Sequence, residues 1–209
     1  VPRGLDAPLS PVIDFDMDDT LYPEADFVRS GHRAVAERVW QDLRVDIEPE
    51  LRRRFAAGQR GDLMSTALAA LDVETPPDYV GRVLVQVYRE HVPVIRPYVD
   101  TVQVLTELRV RGHRLALLSD GLADVQRRKL SALGLAKLFD EVVITDELGR
   151  DAWKPSPVGF ERILTVMDVE ASAAMYVADN PHKDFAGPRG LGMRTVRIVW
   201  PGTEHSVAL

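Results

Sequence analysis

From Pro97 onward, short apolar runs alternate with helical stripes, and this alternation constrains the fold more than any other feature of the chain. Leu115-Ala116-Leu117-Leu118, Val142-Val143-Ile144, Met175-Tyr176-Val177-Ala178 and a last run from Thr195 to Val199 predict strands. Continuous apolar runs of this length mark strands buried on both faces. Between them, Val102, Leu105 and Leu108 predict one helix, a second runs to Leu133, and Phe160, Ile163, Leu164 and Met167 predict a third. A short helix follows Asp184, and Gly112 and Gly134 stand where helices need a C-terminal cap. One further run, Val12 to Phe15, precedes all of these. Strands that alternate with helices pair in parallel and are covered on both faces.

Residues 23–96 break the alternation. Val28, Gly31, Val35 and Val39 predict a helix from about Glu24 to Leu43. Leu63, Met64, Ala67, Leu68 and Leu71 form a second stripe, and Val80, Val83, Leu84, Val87 and Tyr88 a third. Pro49, Gly58, Gly61 and Pro76-Pro77 separate them as breakers. A crossover between parallel strands needs only about a dozen residues. The block is several times longer, so it reads as an inserted all-helical domain, with residues 5–22 and 97–209 forming the sheet-bearing core. Val1-Pro2-Arg3-Gly4 resembles the remnant of a cleavable tag and stays outside the fold argument.

Composition narrows the chemistry. With 26 Lys and Arg against 32 Asp and Glu, the net charge is -6. That balance argues against nucleic acid as a partner, which calls for a basic face. The absence of cysteine excludes disulfides, thiolate metal sites and cysteine nucleophiles. No run approaches the ~20 apolar residues of a membrane span and no signal-peptide pattern precedes the first strand, so no membrane partner and a cytoplasmic location are expected.

Polar residues then appear at the carboxyl ends of the predicted strands. Asp14, Asp16, Asp18 and Asp19 cluster around the end of the first, Ser119-Asp120-Gly121 ends the second, and Asp179-Asn180-Pro181 ends a later one. In a parallel sheet these ends share one edge, where open α/β folds bind ligands. Lys154 lies on a loop that can reach the same edge. Carboxylates, a cation, a hydroxyl and loop N–H groups suit a phosphate bound with Mg²⁺, which prefers hard oxygen ligands.

Together these residues resemble the haloacid-dehalogenase-like hydrolase superfamily. The elements are Asp16-x-Asp18-x-Thr20-Leu21, an apolar run ending in Ser119, Lys154-Pro155, and Asp179-Asn180 followed by Asp184, in that order. The resemblance covers nearly the whole chain and implies a three-layer α/β core with a Rossmann-like parallel sheet and an inserted all-helical cap. It implies Asp16 as nucleophile, and Asp18 as the group that protonates the leaving alcohol and activates water. Asp18 is therefore expected to have a pKa nearer neutrality than Asp16. Ser119, with Asp120, Gly121 and Thr20, would bind substrate or steady the loop, and Lys154 would offset charge. Mg²⁺ would be held by Asp16, the backbone carbonyl of Asp18, and Asp179, with Asp184 ligating or orienting. Counting from Asp16 places Thr20 correctly, whereas counting from Asp14 does not. Asp14 is left inside a strand, where it needs a hydrogen-bonded partner.

The implied reaction is hydrolysis of a small phosphorylated metabolite through an aspartyl-phosphate. Dehalogenases lack the second Asp, and Asp18 is present. A phosphonate hydrolase needs a cap lysine, and residues 23–96 contain none. Phosphomutases keep the same residues and remain open, as do a phospho-accepting receiver-like domain and a non-catalytic binding protein. His182 and Lys183 are expected to play loop roles, and Arg127-Arg128-Lys129 to form a solvated helix face. On the first cap helix, Arg29, His32 and Arg33 are the candidates to face a ligand.

Overall fold

The computed structural model describes residues 12–203, 205 and 206; the tag-like Val1–Gly4 and the expected start of the core at Leu5 lie outside them. Five parallel strands form one sheet: β1 (Val12–Phe15), β2 (Arg114–Ser119), β3 (Glu141–Ile144), β4 (Ala174–Ala178) and β5 (Arg194–Arg197), in the order β3-β2-β1-β4-β5. β1 lies at the centre, pairing Val12 with Arg114 on one side and with Ala174 on the other. The last strand starts one residue earlier than predicted and ends two earlier.

Side chains alternate between the two faces of the sheet. Val12, Ala116, Leu118, Tyr176 and Ala178 pack with Phe160 and Ile163 in one buried cluster. The alternate residues Ile13, Phe15, Leu115 and Leu117 are also buried, as expected for a sheet covered on both faces. The covering helices are α5 (Thr101–Val110), α6 (Ala123–Leu133), α7 (Val158–Val166) and α8 (Ala186–Leu191). Gly112 and Gly134 both have positive φ after α5 and α6, which favours glycine at a helix C-terminus.

The chain divides into two compact units, residues 25–95 and the remainder. Within the sheet-bearing unit the chain leaves and returns at one point. The Leu21 carbonyl accepts from the Tyr98 N–H at 3.0 Å and from the Thr101 hydroxyl at 3.0 Å.

The other unit is helical: α1 (Glu24–Leu43), α2 (Glu48–Ala56), α3 (Leu63–Ala70), a π-helical turn Tyr79–Leu84, and α4 (Val85–Glu90). Val35, Val39, Leu51, Ala67, Leu68 and Leu84 form its buried centre. α1 matches the predicted span, but Phe27 is buried where Val28 was expected and Val28 is only half-buried. Pro49 is not a breaker. It sits in the first turn of α2, where its missing N–H has no intrahelical partner to lose. Among the described residues no helix is long and apolar enough to cross a membrane.

Candidate active site

Asp16 follows directly on β1, and its N–H donates to the Val177 carbonyl at 2.9 Å, continuing the ladder to β4. This junction between β1 and β4 is where the strand order reverses, the usual crevice of open α/β sheets. The Lys154 Nζ lies 2.6 Å from Asp16 Oδ1, 2.8 Å from Asp184 Oδ1 and 2.9 Å from the Tyr176 hydroxyl. Burial alone would pull the Lys154 pKa down, but Asp16, Tyr176 and Asp184 outweigh it and hold the ammonium charged.

Asp179, at the end of β4, completes a carboxylate group with Asp16 and Asp184. All three are buried, with one oxygen of each within 4.8 Å of the others. Asp184 is held by the loop it closes: its Oδ2 accepts from the Asn180 N–H at 3.0 Å. Burial, then the charges of Asp16 and Asp184, push Asp179 up to about 8. Asp16 rises to about 6, chiefly through burial, with Lys154 opposing. Such crowding is costly unless a cation shares it. Three hard, buried carboxylates within 4.8 Å of one another therefore fit a divalent metal ion.

Asp18 behaves opposite to expectation. Burial would raise its pKa, but the Lys129 charge and hydrogen bonds from Lys129, Tyr22 and Gln126 bring it below the usual value. Lys129 Nζ lies 2.8 Å from Asp18 Oδ1, which also accepts from the Tyr22 hydroxyl, and Gln126 Nε2 donates to Asp18 Oδ2 at 2.8 Å. In this arrangement Asp16, not Asp18, is the group nearer neutrality. Nor is Lys129 part of a solvated face: its side chain is 5% exposed. Its neighbour Arg127 instead pairs with Glu147 at 2.6 Å.

Gln126 links two of the predicted residues, since its Nε2 also donates to Ser119 Oγ at 2.7 Å. The turn between them favours Gly121, which has φ +125° and where a Cβ would stand a tight 3.1 Å from the Gln126 amide carbon. Asp120 points its carboxylate at protein partners, accepting from the Thr145 hydroxyl at 2.8 Å and the Lys154 N–H at 3.2 Å. It thereby fixes the loop that carries Lys154. Thr20 is buried, with a hydroxyl that has no hydrogen-bond partner among the described residues. Asp19 accepts from the Glu24 N–H at 2.8 Å and so caps the start of α1.

Asp14 lacks the partner expected for it among the described residues, where neither carboxylate oxygen is hydrogen-bonded. Burial raises its pKa well above the carboxylate range, so the side chain meets the cost of burial by keeping its proton. His182 makes a loop contact, its N–H donating to Asn180 Oδ1 at 2.9 Å, and Lys183 lies 3.6 Å from Asp120.

Tyr22, Gln126, Lys129 and Tyr176 are the residues that pattern reading missed. A signal existed for two of them. The buried positions of α6 are Gln126, Lys129, Leu130 and Leu133, spaced i, i+3, i+4 and i+7 as on any buried helix face. Leu130 and Leu133 fix the phase of that stripe, and the two polar residues share it.

Known proteins resemble both the sequence and the fold. The chain is 32% identical over 195 residues to the glyceraldehyde 3-phosphate phosphatase of Methanocaldococcus jannaschii, covering 88% of this chain and 83% of that one. It is 31% identical over 201 residues to the ribulose-1,5-bisphosphate 5-phosphatase of Halopiger xanaduensis, covering 87% and 82%. The crystal structure of a HAD phosphatase from Thermococcus onnurineus superimposes with a TM-score of 0.61 at 27% identity, covering 91% and 87%. A family model described as haloacid dehalogenase-like hydrolase matches residues 13–198, which include every residue of the site above. With Asp16, the lysine loop and the acidic loop all inside that match, the chain belongs to the haloacid dehalogenase-like hydrolases.

Proposed function

We propose that this hydrolase is a Mg²⁺-dependent phosphomonoesterase acting on a small phosphorylated metabolite through an aspartyl-phosphate. The observation that carries the reading is the environment of Asp16: a buried carboxylate at a strand end, held by Lys154 at 2.6 Å and facing Asp179 and Asp184. Asp16 attacks phosphorus, and the bond from phosphorus to the leaving oxygen breaks. Asp18, ionised before substrate binds, takes up a proton as the negative charge of the phosphate enters, delivers it to that oxygen, then takes one from the water that cleaves the aspartyl-phosphate and restores Asp16. Ser119 and loop N–H groups bind phosphoryl oxygens, and Lys154 keeps Asp16 ionised and aimed.

Asp16, Asp179, Asp184 and the Asp18 carbonyl would hold Mg²⁺, which when bound supplies positive charge to the phosphate. The substrates for which these relatives are named, glyceraldehyde 3-phosphate and ribulose 1,5-bisphosphate, are small phosphorylated molecules and support the same class here. The helical insert, residues 23–96, is the element we assign to substrate selection. Turnover of p-nitrophenyl phosphate with Mg²⁺, abolished by Asp16→Asn, is the expected result. Turnover that survives Asp16→Asn sinks the mechanism, and none by the parent protein sinks the function. A panel of phosphorylated sugars, nucleotides and amino acids then names the substrate.

A further inference from the structure

Asp18 must sit where it can reach both the leaving oxygen and the attacking water. Three side chains hold its carboxylate there, one of them from its own segment. Lys129 and Tyr22 occupy one carboxylate oxygen and Gln126 the other. Gln126 and Lys129 are three residues apart on α6, so one rigid helix face presents both donors. The same face reaches Ser119 through the second hydrogen of the Gln126 amide, at 2.7 Å. Lys129 is 4% exposed and Gln126 2% exposed. Burying an ammonium is costly unless it is paired, and Lys129 meets that cost through Asp18, 2.8 Å away.

We propose that Lys129, with Gln126 as its second arm, is a positioning residue that sets Asp18 for proton transfer in register with the phosphate-binding Ser119. Lys129 touches no reacting atom and acts through Asp18. The proposal rests on the phosphomonoesterase reading, because it needs Asp18 to work on a leaving group and on water.

The two half-reactions separate this role from a structural one. Forming the aspartyl-phosphate from p-nitrophenyl phosphate needs no proton for its leaving group, whereas an alkyl phosphate does. Hydrolysis of the aspartyl-phosphate needs a base with either substrate. For Lys129→Met, kcat/KM for p-nitrophenyl phosphate should hold near the parental value while kcat/KM for an alkyl phosphate falls about 10²-fold, the usual scale of acid–base assistance. With p-nitrophenyl phosphate, kcat and KM should fall together, preceded by a burst of about one p-nitrophenolate per site. That burst also counts folded sites. Adding Lys129→Met to Asp18→Asn should cost nothing further, because both remove the same function.

An equal loss of kcat/KM for both substrates, or no loss for either, overturns the proposal. If Lys129→Met does not fold, Lys129→Gln, which keeps a donor near Asp18, decides by the same comparison, expected to show a smaller loss confined to the alkyl phosphate. A parent protein without phosphatase activity overturns the underlying function as well. An active, Asp16-dependent parent with an unselective Lys129 variant overturns the positioning role alone.

Discussion

The sheet-bearing unit and the helical unit bury ionisable groups in opposite ways. At the carboxyl edge of the sheet, Asp16, Asp179 and Asp184 crowd together, with Lys154 against two of them, and burial drives Asp16 to about 6 and Asp179 to about 8. In the helical unit, His32 packs edge-on to Phe55, with ring centroids 5.7 Å apart and Tyr88 at 6.1 Å. Burial there lowers its pKa to about 4 and keeps it neutral. Other charges of that unit pair along the surface, such as Arg29 with Asp26 and Arg38 with Asp42. One unit thus concentrates charge at a price in stability, as catalytic sites do, while the other lets burial select the uncharged form. The difference separates a site from a scaffold, and it predicts opposite responses to pH.

The largest effect should come from removing the cation at the centre of the first unit. Lys154→Met leaves Asp16 and Asp184 without the ammonium now 2.6 and 2.8 Å away. Removing one partner of a buried ion pair costs about 3–5 kcal/mol. Urea melts of metal-free protein at pH 8 should show this loss and a smaller one at pH 5, where the carboxylates take up protons instead. An equal loss at both pH values would show that Lys154 contributes by packing rather than charge.

Mg²⁺ should act as a partial substitute for protons at the same edge. Carboxyl pKa values raised by folding mean that the native state binds more protons than the unfolded state between about pH 4 and 8. The metal-free unit therefore loses stability as pH rises through that window. At pH 8 a hundred-fold excess of Mg²⁺ over its dissociation constant should add about 2.7 kcal/mol, or about 5–11 °C in Tm for a chain of 209 residues. At pH 5 the gain should nearly vanish, because Asp179 and Asp16 hold protons. A gain independent of pH would place the metal elsewhere.

His32 should respond the other way. Its folded pKa of about 4 lies below its ordinary value of 6.5, so the stability of the neutral form is present above pH 6.5 and is lost as pH falls toward 4. Comparing parent with His32→Leu isolates this contribution from that of the carboxylates. The difference in unfolding free energy between pH 7.5 and 4.5 should be about 1–3 kcal/mol larger in the parent. A His32→Leu variant with the parental pH profile would break the comparison between the two units.

The clustering of polar residues at the carboxyl edge of the sheet was legible because strand ends in a parallel sheet converge whatever their sequence separation. Asp16, Ser119, Lys154, Asp179 and Asp184 could be named from motif order, and the strand assignments followed from unbroken apolar runs. What failed depended on direction and neighbours. Pro49 reads as a breaker because a pattern does not distinguish a helix interior from its first turn. Lys129 reads as solvated because three successive basic residues suggest a surface, although Leu130 and Leu133 already set the buried phase of that helix. The relative pKa of Asp16 and Asp18 depends on which donors each carboxylate meets, and three of Asp18's come from Tyr22, Gln126 and Lys129. Spacing carries no information about such contacts, nor about how Asp14 tolerates its site without a partner.

The smallest effects belong to α1, where three candidate ligand residues turn out to differ in kind. His32 is buried among aromatic rings of its own unit, so its substitution perturbs packing before any ligand is added. Arg29 and Arg33 keep side-chain exposures of 56% and 61%, with Arg29 2.8 Å from Asp26 and Arg33 3.9 Å from Glu48. Exposed pairs of this type contribute about 0.2–1 kcal/mol or less. Arg29→Ala and Arg33→Ala should therefore shift Tm by no more than about 4 °C and leave kcat for p-nitrophenyl phosphate unchanged. Because their folds stay intact, a rise in KM confined to one member of a phosphorylated-metabolite panel would assign that arginine to substrate selection. Parental KM values throughout would remove both from the helical unit's contribution to specificity, leaving its exposed face without a basic contact on α1 before Arg38.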